Sequence, residues 1–175
     1  MQLVLRDINP HVVLAWTQVF GGRAGVSFGS GDLLRADIDA IVSPANGAGI
    51  MDGGIDRHYR AEFGLAIETR LRALIEQRHG GELPVGEALV VPTKHAKIRR
   101  MIAAPTMLTP RSIQGTDNVR HATLAALRAA GRVVNPAIAR LGFPGMGTGV
   151  GRMDPFAAAE QMRDAIDAWT DESRG

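Results

Sequence analysis

The chain has 175 residues, 45% of them hydrophobic and 22% charged, with a formal net charge of +2. That length suits a single domain, residues 1–175, with a substantial core, and the apolar content excludes disorder except at the tails. Cysteine is absent, which excludes disulfides, thiolate catalysis and Cys-ligated zinc, and no signal-like or membrane-length apolar span is found, so a cytoplasmic location is expected.

The pI near 9.6 follows from a slight excess of Lys and Arg over Asp and Glu. Basic residues gather only at Lys94–Arg100, without interleaved aromatics, and nucleic acid is therefore not an expected partner. The five histidines, His11, His58, His79, His95 and His121, show no ligand spacing, and no metal site is expected.

In chain order, Gln2 to Arg6 alternates weakly and predicts an edge strand. Pro10 to Phe20 has helical periodicity, with Pro near its first turn and Gly21-Gly22 as a stop. Ala24 to Phe28 predicts a second strand, broken by Gly29-Ser-Gly-Asp32. Ile38 to Val42 is short, apolar and β-branched, the pattern of a strand buried on both faces. A glycine-rich stretch follows, then helices over Ile55–Phe63 and Leu65–His79, the latter amphipathic and ended by Gly80-Gly81. Ala88–Pro92 and Arg100–Ala104 predict a strand pair, and Thr116–Ala130 a helix with Thr116 as its cap. Pro136–Phe143 predicts the last strand, and a final helix runs from Asp154-Pro155 to about Thr170. Alternating strands and helices of this kind predict a three-layer α/β/α domain with a mixed central sheet.

The stretch Ser43-Pro-Ala-Asn46-Gly-Ala-Gly-Ile-Met-Asp-Gly-Gly-Ile-Asp56 strings one carboxamide and two carboxylates on a loop between a buried strand and a helix start. Its glycines allow backbone N–H groups to approach an anion closely, and phosphate fits that geometry. A second loop, Pro144-Gly-Met-Gly-Thr-Gly-Val-Gly151, follows Arg140–Phe143 in the same way. Both follow strands, and open sheets bind ligands at the carboxyl ends of their strands, so the two loops should share one mouth and grip a diphosphate from both sides. Neither is a Walker A loop, since the Gly-Lys-Ser/Thr ending is missing.

Gly31-Asp32-Leu33, Asp39-Ala-Ile-Val-Ser-Pro-Ala-Asn46, Gly53-Gly-Ile-Asp56 and Gly147-Thr-Gly-Val-Gly151, in that order, resemble a macrodomain, the ADP-ribose-binding module, over roughly Ala24 to Met162. The likeness is to the MacroD-type ADP-ribosylhydrolase branch. Ala104-Pro-Thr-Met107 and the wording of the second loop suggest a divergent bacterial or phage-like subgroup. The resemblance implies a macrodomain-like fold and places Asp32, with Leu33 beside it, at the adenine amino group. It puts Gly47–Gly54 and Pro144–Gly151 around the diphosphate and distal ribose. The donors would be the N–H groups of Gly53, Gly54, Ile55, Gly147, Thr148, Gly149 and Val150, with Gly145, Met146 and Gly151 completing the ligand site.

The resemblance also gives Asn46 the role of orienting the distal ribose and Asp56 that of aligning or deprotonating the attacking water. The implied activity is removal of mono-ADP-ribose from modified proteins, through ester-type or serine-type linkages, without cofactor or metal, by a monomer. Its partners would be ADP-ribose or an ADP-ribosylated protein. The same family resemblance leaves open a non-catalytic ADP-ribose reader, a phosphatase acting on ADP-ribose 1''-phosphate and a deacetylase of O-acetyl-ADP-ribose. Read from the residues alone, Asp32 can instead cap a turn and Asp56 can serve the helix dipole. Three departures from the family pattern stand out. Ser43-Pro44 replaces an Asn-Ala pair, Met51-Asp52 replaces part of the glycine run, and Gly151 stands where MacroD-type enzymes carry an aromatic beside the ribose. The candidates for stacking on adenine are Tyr59, Phe143 and Phe156.

Overall fold

The computed structural model describes residues 1–44 and 46–173; Ala45, within the first glycine loop, and Arg174 and Gly175 lie outside the described residues. Among the described residues six strands form one sheet: β1 (Gln2–Asp7), β2 (Val26–Ser30), β3 (Ala40–Ser43), β4 (Leu89–Pro92), β5 (Arg100–Ala103) and β6 (Arg140–Phe143). Their spatial order is β2-β1-β6-β3-β5-β4, with every neighbouring pair parallel except β4 and β5. The sheet is mixed, as the alternation of elements predicts.

Five helices cover it: α1 (Pro10–Phe20), α2 (Gly54–Phe63), α3 (Ala66–His79), α4 (Asn118–Gly131) and α5 (Pro155–Glu172). One core, built around Trp16, Phe20, Leu127, Phe143 and Met162, lies between the sheet and α1, α4 and α5. The other, built around Tyr59, Phe63, Leu71 and Ile75, lies under α2 and α3. Three layers result. Among the described residues no helix is long and apolar enough to cross a membrane.

Several sequence expectations are corrected in detail. β1 is not an edge strand, because it pairs with β2 on one side and β6 on the other. Leu3, Val4 and Leu5 are all buried, which is the signature of a strand covered on both faces; the polar residues at its ends mimic alternation. β2 begins at Val26 and runs on to Ser30, and β6 begins only at Arg140. There the Asp39 carboxylate accepts hydrogen bonds from the N–H groups of Ala139 and Arg140, fixing where pairing starts. The N-cap position of α4 is Asp117, without a side-chain bond. The Thr116 hydroxyl, one residue earlier, donates to the Ile113 carbonyl at 2.7 Å and accepts from the N–H of Asn118, the first residue of α4, at 3.4 Å, a longer form of the expected cap. The start of α5 is as predicted: Asp154 accepts from the N–H groups of Phe156 and Ala157 and Pro155 opens the helix.

Candidate functional site

β1, β6, β3 and β5 lie side by side and point the same way, so the segments leaving their carboxyl ends emerge together at one edge of the sheet. That register, rather than any contact between the loops in sequence, brings the two glycine loops to one cleft of about 280 Å³. The first loop contributes Asn46, Ile50, Asp52, Gly53, Gly54 and Ile55, and the second contributes Gly145, Gly147, Thr148, Gly149, Val150 and Gly151. Asp7 and Asn9 beyond β1, and Thr106, Met107 and Pro110 beyond β5, complete the walls.

At the base of this cleft is Asp56, in the first turn of α2 and only 7% exposed. Its Oδ1 accepts a 2.6 Å hydrogen bond from the hydroxyl of Ser43, the last residue of β3, which is fully buried. Burial pushes the Asp56 carboxyl up from 3.8 to about 6, while the Ser43 hydrogen bond pulls the other way. Beneath it the Tyr59 hydroxyl donates to the Val42 carbonyl at 3.2 Å. Burial and the Asp56 charge hold that phenol well above its ordinary range.

The start of α2 leaves backbone donors free. Gly53 occupies the N-cap position in an extended conformation and, having no side chain, offers no cap. Among the described residues the N–H groups of Gly54, Ile55 and Asp56 have no hydrogen-bond acceptor. Three orphan donors at the positive end of a helix dipole therefore face the cleft.

Asn46 is half-buried at the other end of the loop and folds back on it. Its Nδ2 donates to the Ile50 carbonyl at 2.8 Å and its Oδ1 accepts from the Ile50 N–H at 3.2 Å. Each polar end keeps capacity for one more partner. Asp52 is exposed at the mouth.

In the second loop Gly147 has φ +70°, and a Cβ there would meet Ile113 and Val119 at 2.8 Å. At Gly151 a Cβ would lie 2.5 Å from the Gly147 carbonyl oxygen, so the tight loop leaves no place for the aromatic that MacroD-type enzymes carry there. Gly145 lines the cleft, but its N–H is already donated to Asp7 Oδ2 at 2.9 Å. Met146 does not line the cleft; its side chain is fully buried in the core under α1, α4 and α5.

A second cavity of about 620 Å³ adjoins the first across Asp7, Gly53, Gly54 and Ile55. Asp32 and Leu33 lie on it. Leu33 is mostly core, whereas the Asp32 side chain is half exposed and accepts from the Leu34 N–H at 2.9 Å, capping the short 3-10 turn Leu33–Arg35. The turn-capping reading of Asp32 is thus realised, with its second oxygen facing solvent 3.7 Å from Arg35. Of the three aromatics considered for stacking, Tyr59 and Phe143 are fully buried and Phe156 packs against the α1/α4/α5 core. Tyr59 nevertheless lines the second cavity, which Arg6, Arg57 and His58 also line.

Sequence reasoning did not single out Asp7 or assign a role to Ser43, Thr106 or Met107. An acid at the carboxyl end of a strand was the available signal for Asp7, and reading β1 as an edge strand hid it.

The comparisons agree with this architecture. A family model described as Macro domain matches residues 42–162. An uncharacterized protein of Aquifex aeolicus is 36% identical over 136 residues, covering 78% of this chain and 77% of the relative. The macrodomain of Mycobacterium tuberculosis DarG superposes with a TM-score of 0.68 at 26% identity, over 81% of this chain and 90% of that one. An Oceanobacillus iheyensis macrodomain with ADP matches at 22% identity with a TM-score of 0.64, over 78% of this chain and 71% of that one, a likeness of fold. A shorter stretch of 68 residues, 39% of this chain, is 34% identical to 18% of a Mycobacterium tuberculosis protein named DNA ADP-ribosyl glycohydrolase. With the family model spanning more than half of its length and its sheet edge carrying both glycine loops, the chain belongs to the macrodomain family.

Proposed function

We propose that this chain binds ADP-ribose and hydrolyses the bond between the distal ribose and a modified protein side chain. One observation carries the reading: the uncapped first turn of α2 and a buried carboxylate, Asp56, open on the same cleft as the second glycine loop. The diphosphate is held by the N–H groups of Gly54 and Ile55 and by those of Gly147–Val150, and the adenosine end extends into the second cavity toward Asp32. Macrodomain neighbours from Oceanobacillus iheyensis and Trypanosoma brucei whose structures hold ADP support a nucleotide diphosphate as the kind of ligand.

In the reaction a water oxygen bonds to the anomeric carbon as the bond from that carbon to the side-chain oxygen breaks. The leaving oxygen departs with the bonding pair. Asp56 takes the proton from the attacking water and returns it to the leaving group or to solvent, and the same carboxylate stabilises the oxocarbenium-like state. Asn46, braced on Ile50, presents its remaining donor and acceptor to a ribose hydroxyl. A carboxylate that titrates near 6 is ionised at neutral pH yet basic enough to accept that proton.

The electrostatics favour this over the phosphatase alternative. The cleft lining carries three carboxylates, Asp7, Asp52 and Asp56, and no Lys, Arg or His among the described residues, so nothing there would neutralise a third phosphate. The reader alternative is favoured by one feature, the engagement of both ends of the Asn46 amide by Ile50.

The test is removal of label from a mono-ADP-ribosylated protein together with calorimetry of ADP-ribose binding, for the native chain and Asp56→Asn. The expected result is turnover that rises with pH through about 6. Asp56→Asn should lose turnover by roughly 10²- to 10⁴-fold with little change in affinity. Tight binding without label loss in the native chain would establish the reader in its place.

A further inference from the structure

We propose that Ser43 is a positioning residue for the reaction: its hydroxyl fixes the Asp56 carboxylate so that Oδ1 is occupied and Oδ2 faces the cleft. The inference rests on the hydrolase reading and concerns a residue that does not itself line the cleft.

The geometry is restrictive on both sides. Ser43 closes β3, its carbonyl accepts from the Ala104 N–H at 2.9 Å, and its side chain is fully buried, so the hydroxyl has little freedom to point elsewhere. It donates to Asp56 Oδ1 at 2.6 Å, short enough for a charge-assisted bond to an ionised carboxylate. Asp56 Oδ2 has no protein hydrogen-bond partner among the described residues, and it is not among the buried unsatisfied atoms, which are Thr123 Oγ1 and Arg140 Nε. That oxygen therefore retains access to the cleft its residue lines.

The surroundings leave Ser43 alone in this role. Asp7 from β1 and Asp52 from the first loop line the same cleft as Asp56, and Arg57, His58 and Tyr59 follow it on α2. Neither neighbouring carboxylate can donate to Asp56, and Tyr59 gives its hydroxyl proton to the Val42 carbonyl. Ser43 is the one hydrogen-bond donor that the described residues supply to the Asp56 side chain. It restrains the burial that would otherwise carry Asp56 out of the range of a useful base at neutral pH.

The test compares the native chain with Ser43→Ala and Ser43→Thr, first by carbon-13 NMR titration of the Asp56 side-chain carboxyl and then by the pH profile of kcat. With the hydroxyl removed, the Asp56 midpoint should rise by about one to two pH units, the worth of a hydrogen bond to a charged group. At pH 7, kcat should then fall roughly two- to tenfold and recover as the pH approaches 9, with KM unchanged. Ser43→Thr, which keeps the hydroxyl, should titrate and turn over like the native chain, and thermal melting reports whether each variant is folded. An unmoved midpoint in folded Ser43→Ala, in an active enzyme, overturns the positioning role and leaves the hydrolase reading intact. A moved midpoint in a protein that binds ADP-ribose and removes none overturns the hydrolase reading, and with it the use of the pair in catalysis.

Discussion

Asp56 is held where its ionised form is unwelcome. The α2 dipole and the Ser43 hydroxyl both favour the charge, yet burial outweighs them and the carboxyl is raised from 3.8 to about 6. A group raised in the folded state contributes stability that is fully present below its unfolded value, here 3.8, and is lost as the pH climbs through about 6. At pH 7 the native fold thus carries a penalty of about 3 kcal/mol for keeping this residue ionised. Asp56→Asn preserves the shape and an acceptor for Ser43 while removing the charge. Urea denaturation at pH 7 should show the variant more stable by about that amount, with the difference shrinking to nothing below pH 4. A variant less stable than the native chain at pH 7 would mean that the carboxylate is compensated by partners beyond Ser43.

At the scale of elements, α2 is the part on which the proposed recognition rests. A side chain can satisfy the orphan N–H groups at a helix start, and α1 and α5 use Asn9 and Asp154 in this way, whereas the N-cap residues of α3 and α4 make no side-chain cap bond among the described residues. At α2 the N-cap residue is Gly53, which has no side chain to offer, and this uncapped start opens on the cleft. The backbone there, φ −131° and ψ 164°, suits any residue, and nothing lies within 4 Å of an added Cβ. Gly53→Asp should therefore cap the helix without loss of thermal stability while setting a carboxylate where the diphosphate belongs. ADP-ribose affinity, followed by calorimetry, should fall roughly ten- to hundredfold. Unchanged affinity would remove the α2 start from the anion site. This element was legible in the sequence because its signals are local: Asn46, the glycine run and Asp56 lie within one short stretch after an apolar strand. Asp7 and Thr106 were not legible as cleft residues. They reach the cleft only through the lateral order of β1, β6, β3 and β5, which no local periodicity encodes. Ser43 was read as a departure from a family pattern, and its partnership with Asp56 joins the end of a strand to a helix thirteen residues away. The two glycine loops were rightly expected at one mouth: both follow parallel strands, which sets them at one edge of the sheet, and the pairing of β3 with β6 makes that edge one cleft.

The whole molecule distributes its charge in an unusual way for a protein proposed to hold a diphosphate. The net charge is only +2, and the main cleft, as far as its lining is described, presents three carboxylates and no cationic side chain. Arg6, Arg57 and His58 stand on the second cavity, away from the second glycine loop. Recognition of the phosphates then rests on short-range N–H donors from two loops that the sheet order brings together, while the side-chain field of the cleft opposes them. Added salt screens long-range charge far more than it weakens short hydrogen bonds in a partly enclosed site. A phosphate site built from Lys and Arg loses affinity steeply as ionic strength rises. Here the screened interaction is mainly repulsion from Asp7, Asp52 and Asp56. ADP-ribose affinity measured by calorimetry from about 0.05 to 0.5 M NaCl should accordingly stay within roughly threefold, or tighten slightly. A tenfold loss over that range would show that side-chain cations, drawn in from the second cavity, carry the diphosphate in place of the backbone.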